Sequence, residues 1–309
     1  MYLGEKVDLL VTYVNYKDSQ WIADYEKVAH TRLNAVTEAR FRSFGTLRYL
    51  FRGIDKFMPY VDEVILIVSK ETQVPKWVNK SVVRVITHDK FIPANDIPTF
   101  NSCTIESAFH RIPGLDPYII YTNDDIFPIK ESTVEDFFTN GLPNIGFKFY
   151  KGYGKNNMFR QQCKNGATLI FNTLKSKHLM DKRKENPPFF KPDHCMTAMT
   201  LDTLKTVGYL CGEEMRKCST PFRSMKNVNQ HIYLYYQYFT DKYYDKKMDY
   251  KYITFQNGID SIVDNICNPD VKFLCINDDG LLGKDYDKTK AAIQNALKTR
   301  LPNHCRFEI

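Results

Sequence analysis

The chain has no Cys-x-x-Cys pair among its eight cysteines, at positions 103, 163, 195, 211, 218, 267, 275 and 305. Their spacing excludes zinc knuckles and thioredoxin-type redox chemistry. Tryptophan is scarce, with 2 residues against 20 tyrosines and 21 phenylalanines, most of which read as core and rim packing. No apolar run approaches the roughly 18 residues that a membrane-spanning helix needs. The first apolar stretch, Lys6 to Val14, is too short for a secretory leader and reads as a strand. There is no internal repeat and no low-complexity linker. These absences together lead us to expect a cytoplasmic protein with free thiols.

What is present fits a globular fold. Hydrophobic residues make up 43% and charged residues 26% of 309 positions, enough for one large domain. A formal charge of +7 favours anionic partners such as nucleotide phosphates or acidic polysaccharide. The basic residues are scattered apart from Lys175 to Lys184 and Lys242 to Lys251. Neither run has the architecture of a nucleic-acid module, so both read as solvated faces and no nucleic-acid partner is expected.

Short apolar runs alternate with helical patterns through the first half. Val7 to Val14, Glu63 to Val68, Val82 to Thr87 and Tyr118 to Thr122 read as strands. Ser19 to Leu33, Phe44 to Met58 and Ser102 to Arg111 read as helices, the last with Ser102 as N-cap. Strands that alternate with helices, without hairpin signals, predict a mostly parallel, doubly wound α/β sheet. The second half is less regular. Asn144 to Tyr150 and Thr168 to Asn172 read as added strands, and Lys151 to Lys164 as a mobile, anion-contacting loop. Cys195 to Val207 and Met225 to Phe239 read as helices, Phe273 to Ile276 as a last strand and Lys288 to Leu301 as an amphipathic helix. We expect a single domain over 1–309, with a sheet-based half at 1–150 and a less regular half at 151–309.

The chemistry concentrates where strands end. Asn123-Asp124-Asp125 follows the fourth strand, where open α/β sheets bind ligands. Two adjacent carboxylates that stay ionised call for a divalent cation, and Asp and Asn oxygens suit a hard ion such as Mg²⁺ or Mn²⁺. The same triplet is also good turn chemistry, and at this point both readings stand. Thr12, Asn15 and Asp18, after the first strand, are candidates for contact with a base or ribose. Arg40, Arg42, Arg48 and Arg52 are ambiguous, because a spacing of four puts Arg48 and Arg52 on one helical face. Glu106 is a site residue or the buried partner of an arginine. His88 and His110 read as structural.

Arg40-Phe41, Leu47-Arg48-Tyr49, Arg52, Gln73-Val74-Pro75, Trp77, His88 and Pro98 to Ser102, with Asn101, form one long block. It continues through Ile105-Glu106, His110-Arg111-Ile112 and Gly114-Leu115 to Tyr121 and the acidic triplet. With the Val7 to Asp18 segment, His194, Phe222-Arg223, Cys275 to Asp278 and Pro302 to Glu308, it resembles the Stealth family of sugar-1-phosphate transferases. That family includes bacterial capsular polysaccharide phosphotransferases and the catalytic core of N-acetylglucosamine-1-phosphotransferase. The resemblance spans nearly the whole chain in the family's order. Tyr13, Asn15 and Tyr16 depart from the family's usual Trp, Asp and Gly, which weakens a charged-ligand role for Asn15.

The resemblance implies a Rossmann-like, glycosyltransferase-A-like core. It further implies transfer of a sugar-1-phosphate from a nucleotide sugar to a glycan hydroxyl, with release of nucleoside monophosphate, in capsular or cell-surface polysaccharide synthesis. Mg²⁺ or Mn²⁺ is expected on Asp124 and Asp125. His194 is expected as general base, Asp125 as a catalytic acid group and Arg223 as a phosphate clamp. Donor or substrate contacts are expected from Thr12, Asn15, Arg42, Arg48, Asn101, Glu106, Asn123, Asn277 and Asp278. Partners would be the nucleotide sugar and a polysaccharide or oligosaccharide acceptor, with peripheral association to assembly machinery at the inner face of the membrane. Two alternatives remain open: a metal-dependent glycosyltransferase that releases nucleoside diphosphate, and a non-catalytic polysaccharide-binding protein of the same fold.

Overall fold

The computed structural model describes residues 4, 6–34, 38–150, 157–180, 189–278, 280 and 284–309. In chain order the strands are β1 (Val7–Thr12), β2 (Glu63–Val68), β3 (Val83–Thr87), β4 (Tyr118–Asn123), β5 (Ile126–Pro128), β6 (Phe138–Thr139) and β7 (Leu142–Ile145). They continue as β8 (Phe147–Tyr150), β9 (Phe189–Pro192), β10 (Thr197–Thr200), β11 (Tyr244–Asp245), β12 (Tyr250–Thr254) and β13 (Phe273–Asn277). The α-helices are α1 (Ser19–Ala29), α2 (Leu47–Phe57), α3 (Ser102–Ser107), α4 (Met158–Ser176), α5 (Leu201–Lys217), α6 (His231–Phe239), α7 (Ile259–Cys267) and α8 (Lys284–Arg300).

The main sheet has five strands in the order β10-β4-β1-β2-β3. β3, β2, β1 and β4 run parallel, and β10 is antiparallel to β4 at one edge. The chain winds outward from β1 to β3 and then returns to the other side of β1. This reversal puts the topological switch between β1 and β4, whose C-terminal residues Thr12 and Asn123 are register partners. Ligands of open α/β sheets bind at such a crevice.

The apolar strands are covered on both faces, as their near-continuous hydrophobicity requires. Val7, Leu9, Val11, Val64, Leu66, Val68 and Ile120 join a core with Leu47, Leu50, Phe51 and Ile54 of α2. Their neighbours Leu10, Ile65, Ile67, Ile119 and Tyr121 face the opposite way, into a core with residues of α4, α5 and α6. A doubly wound, mostly parallel α/β sheet is therefore what the first half builds. No helix among the described residues is long and apolar enough to cross a membrane.

A smaller sheet, β12-β13-β5, lies beside this frame. β13 pairs antiparallel with β5 immediately after the acidic triplet, in the register Cys275↔Ile126, and Ile276 N–H donates to the Asp125 carbonyl at 2.9 Å. Helix α2 supports the pairing from below at Gly53, where an added Cβ would lie 2.6 Å from the Pro128 carbonyl oxygen. The preceding residue, Arg52, ties α2 to the C-terminal segment through a bidentate pair with Glu308 at 2.6 and 3.1 Å.

Several second-half expectations are corrected. Thr168 to Asn172 lies inside α4, whose buried Cys163, Ala167, Ile170 and Leu174 follow helical spacing. The expected loop from Lys151 to Lys164 is helical from Met158, and 151–156 lie outside the described residues. Cys195 to Val207 splits into the edge strand β10 and the start of α5, since Thr200 caps the helix by accepting from Thr203 N–H. α6 begins only at His231, because Asn227 and Asn229 hold the preceding segment in turns. Asn101, not Ser102, is the N-cap of α3, its side chain accepting from Cys103 N–H. The run from Lys175 to Lys184 extends beyond the described residues.

Gly53→Ala tests the close approach. Alanine favours a helix interior by roughly 1 kcal/mol over glycine. Against a backbone carbonyl at 2.6 Å the substitution is nonetheless expected to destabilise, by about 1–3 kcal/mol in urea unfolding. A stabilised Gly53→Ala protein would contradict the packing described.

Candidate active site

Asp124 and Asp125 stand at the carboxyl end of β4, and the β5–β13 pairing brings Asn277 and Asp278 to the same place. His194 arrives from the link between β9 and β10. One ligand atom each from Asp125, His194 and Cys275 lies within 4.8 Å of the others, a group able to hold a metal ion. The Cys275 Sγ is 4.0 Å from Asp125 Oδ2, and the other oxygen, Oδ1, is buried without a hydrogen-bond partner.

The electrostatics follow from burial. Asp125 is pushed up to about 7, by desolvation first and then by the Asp124 charge, while Arg223 acts in the opposite direction. Asp124 is raised to about 6 by desolvation, opposed by a hydrogen bond from Ser43. His194 is lowered to about 4 by burial and then by the Lys191 charge, so near neutral pH it is an uncharged imidazole with a free lone pair. Its ring stands edge-on to Tyr252 at 5.1 Å, and its backbone N–H donates to the Tyr250 hydroxyl at 3.2 Å.

Arg223 is exposed, and its Nη2 donates to Ser102 Oγ at 2.8 Å. Its charge acts on both Asp125 and Glu106. The loop that carries it is anchored twice. Phe222 stacks on Phe100 at 5.5 Å within a cluster that includes Trp21, Tyr25 and Phe41. Asn101, fully buried, donates to the carbonyls of Thr220 and Phe222 and to Asn227 Oδ1 at 3.0, 3.3 and 3.0 Å. Asn101 thus positions the arginine loop from within.

Beneath the crevice runs a polar chain. Thr12 Oγ1 and the Tyr121 hydroxyl donate to Asn123 Oδ1 at 2.9 and 2.7 Å. The Tyr121 hydroxyl also lies 3.1 Å from Glu106 Oε1, and Glu106 Oε2 accepts from Gln230 N–H. Burial raises Glu106 despite the nearby Arg223. Thr12, Asn123 and Glu106 are therefore joined in one network.

The remaining expected residues divide. Arg42 grips Asp278 with bonds of 2.6 and 2.9 Å, and its guanidinium lies 3.8 Å from the Tyr286 ring centre. Arg48 pairs with Glu308 at 3.1 Å and lies 4.9 Å from the Trp77 ring centre, on the side of α2 that faces the C-terminus. Asn15 holds a turn, exchanging backbone hydrogen bonds with the Gln73 side chain at 3.2 and 3.3 Å. Asn277 closes β13 opposite Thr254. His88 is buried and His110 packs against Gly208 and Gly212, both as structural residues.

Sequence reasoning missed His231 and the Cys275 thiol. His231 is buried with Nδ1 unpartnered, and burial followed by the charges of His194 and Lys191 lowers it to about 3. Its place in the run His-Ile-Tyr-Leu reads as core, and no local spacing marks it. The Cys275 thiol is held far above its usual range by burial and the Asp125 charge, so it remains protonated.

The donor set fits a hard cation only through oxygen. A protonated thiol is a poor ligand, whereas an orphaned carboxylate oxygen beside a second raised carboxylate lacks the positive charge that would keep both ionised.

Residues 40–145 match the family model for Stealth protein CR2, conserved region 2. An exopolysaccharide phosphotransferase of Lactiplantibacillus plantarum is 26% identical over 330 residues, spanning 98% of this chain and 96% of that protein. A receptor polysaccharide phosphotransferase of Streptococcus oralis is 25% identical over 98% of this chain and 99% of its own length. A capsular polysaccharide phosphotransferase of Haemophilus influenzae is 34% identical over 45% of this chain and 40% of its own length. Mouse xyloside xylosyltransferase 1 in its apo form aligns with 90% of this chain and 100% of its own at 13% identity. Its TM-score of 0.38 is too low to bear on fold or function.

The raised carboxylates fix the sign of a pH effect. Between the ordinary carboxylate range and about 7, the folded state holds more protons on Asp124 and Asp125 than the unfolded state. Stability from this pair is therefore greatest on the acid side and falls as pH rises through 7. In chelator, Tm plotted against pH should decline less steeply for Asp125→Asn than for the wild type. Parallel curves would contradict the assignment.

Proposed function

Carrying the second conserved region of the Stealth proteins, the chain belongs to that family, and we propose that it transfers a sugar-1-phosphate from a nucleotide sugar to a hydroxyl of a glycan acceptor. The by-product is nucleoside monophosphate, and the setting is capsular or cell-surface polysaccharide synthesis. The observation that carries the reading is convergence: Asp125, His194 and Cys275 come from three distant segments and meet at one strand end, and the charge of Arg223, from a fourth, reaches Asp125.

In the proposed reaction the neutral His194 imidazole accepts the proton of the acceptor hydroxyl. The hydroxyl oxygen forms a new bond to the sugar-bearing phosphorus. The phosphoanhydride bond on its far side breaks, and its electron pair leaves on the nucleoside monophosphate. Arg223 offers a planar fork to two non-bridging oxygens of the transferred group. Arg42 keeps the Asp278 carboxylate fixed at the rim, and the Thr12–Asn123–Tyr121–Glu106 network keeps the strand end rigid. Asp124 and Asp125 would hold Mg²⁺ or Mn²⁺, which when bound supplies charge neutralisation at the pyrophosphate.

Two measurements test this. With a nucleotide-sugar panel and a phosphorus-sensitive readout, the product should be nucleoside monophosphate; nucleoside diphosphate would identify a glycosyltransferase instead. Asp125→Asn and His194→Ala should each lower turnover by about 10²–10⁴-fold with the fold intact, and near-normal activity in either would remove that residue from the mechanism. Separately, Mg²⁺ or Mn²⁺ added above pH 7 should raise Tm of the wild type and leave Asp125→Asn unmoved. An equal shift in both proteins would dismiss Asp125 as a ligand.

A further inference from the structure

Strands β8 and β9 form an antiparallel pair in which Lys148 stands directly opposite Lys191. Like charges at opposed positions destabilise a strand pair. On the alternate face, Phe147 and Phe190 pack with each other and with Tyr238 at ring distances of 4.5, 5.4 and 5.1 Å. Side chains alternate along a strand, so the aromatic packing commits both lysines to the other face. Both are exposed.

A third lysine joins them. The backbones of Gly146 and Lys247 and the Asp193 side chain meet so closely that a Cβ on Gly146 would run into both neighbours. Asp193 feels the charges of Lys247 and Lys148, but its oxygens are engaged by Met248 N–H at 3.2 Å and the Tyr250 hydroxyl at 3.4 Å. Among the described residues, neither Lys148, Lys191 nor Lys247 forms a salt bridge with a carboxylate. Lys191 is three residues from His194, and its charge reaches that imidazole. Beside His194, Tyr252 is 44% exposed.

We propose that Lys148 and Lys191, with Lys247 at the rim, form an acceptor subsite that binds a phosphodiester already present in the glycan being extended. The proposal rests on the sugar-phosphate transfer reading. Each transfer of a sugar-1-phosphate to a hydroxyl leaves a phosphodiester with one negative charge. A chain built by repeated transfer therefore carries an anion close to the hydroxyl attacked next. The lysines lie on the His194 side, where that hydroxyl must approach, whereas the donor pyrophosphate is expected against Asp125 and Arg223. Ammonium groups suit such a role as point charges that tolerate variation in the glycan.

The test uses two acceptor oligosaccharides of equal length, one with an internal phosphodiester and one neutral. In a Lys148→Gln, Lys191→Gln double variant, KM for the charged acceptor should rise roughly tenfold, as two exposed charge contacts imply. The donor KM and KM for the neutral acceptor should stay unchanged. Isothermal titration of both oligosaccharides without donor reads the subsite independently of turnover. Wild-type preference for the charged one, abolished in the variant, supports the proposal even if the donor chemistry were different. Equal wild-type affinity for the two, or a raised donor KM in the variant, overturns it and leaves the transferase reading standing.

Discussion

The antiparallel pairing of Ile126–Pro128 with Phe273–Asn277 is the interaction on which the site depends. It joins residues about half the chain apart, and its bond from Ile276 N–H to the Asp125 carbonyl fixes the acidic turn at both ends. One end belongs to the parallel sheet and the other to the small sheet, so Asp125 sits at the seam. The tight contact at Gly53 and the Arg42–Asp278 pair make the seam rigid, because each removes a direction in which the second sheet could slide. A buried carboxylate with an unpartnered oxygen is costly, and only an over-determined backbone keeps it there.

The second consequence of the seam is electrostatic. Desolvation raises the two acids and lowers His194, so at every group of the seam burial works against the charged form. Burial thus inverts their ordinary order, in which carboxylates titrate below an imidazole. Such an arrangement responds strongly to an incoming ligand charge, since little countercharge is built into it.

The first half of the fold was legible because its strands are buried on both faces and its helices are amphipathic. Leu47, Leu50, Phe51 and Ile54 point to one face by spacing alone. The second half was not, because Thr168 to Asn172 is β-branched and apolar over a stretch too short to tell a strand from the middle of a buried helix. The candidate residues at strand ends, Thr12, Asn123, Asp124 and Asp125, were picked out by the same logic that locates ligands in open sheets. His194 and Arg223 rested on resemblance, since nothing local marks them, whereas Asp278 follows a short apolar strand that ends in amide and acid. Arg48 read as a site residue because an exposed arginine and one held by a distant C-terminal Glu308 look identical in sequence. His231 was invisible for the opposite reason: it occupies a core position, and its relation to His194 exists only in three dimensions.

The aromatic cluster of Trp21, Tyr25, Phe41, Phe100 and Phe222 is separate from the two large cores and far smaller than either. It nevertheless holds the loop that bears Arg223. Opening free energies within a protein scale with the apolar contact that must be broken. The loop that bears Arg223 therefore depends on a small apolar cluster of its own, so disturbing those rings would displace the arginine while both faces of the sheet stay packed.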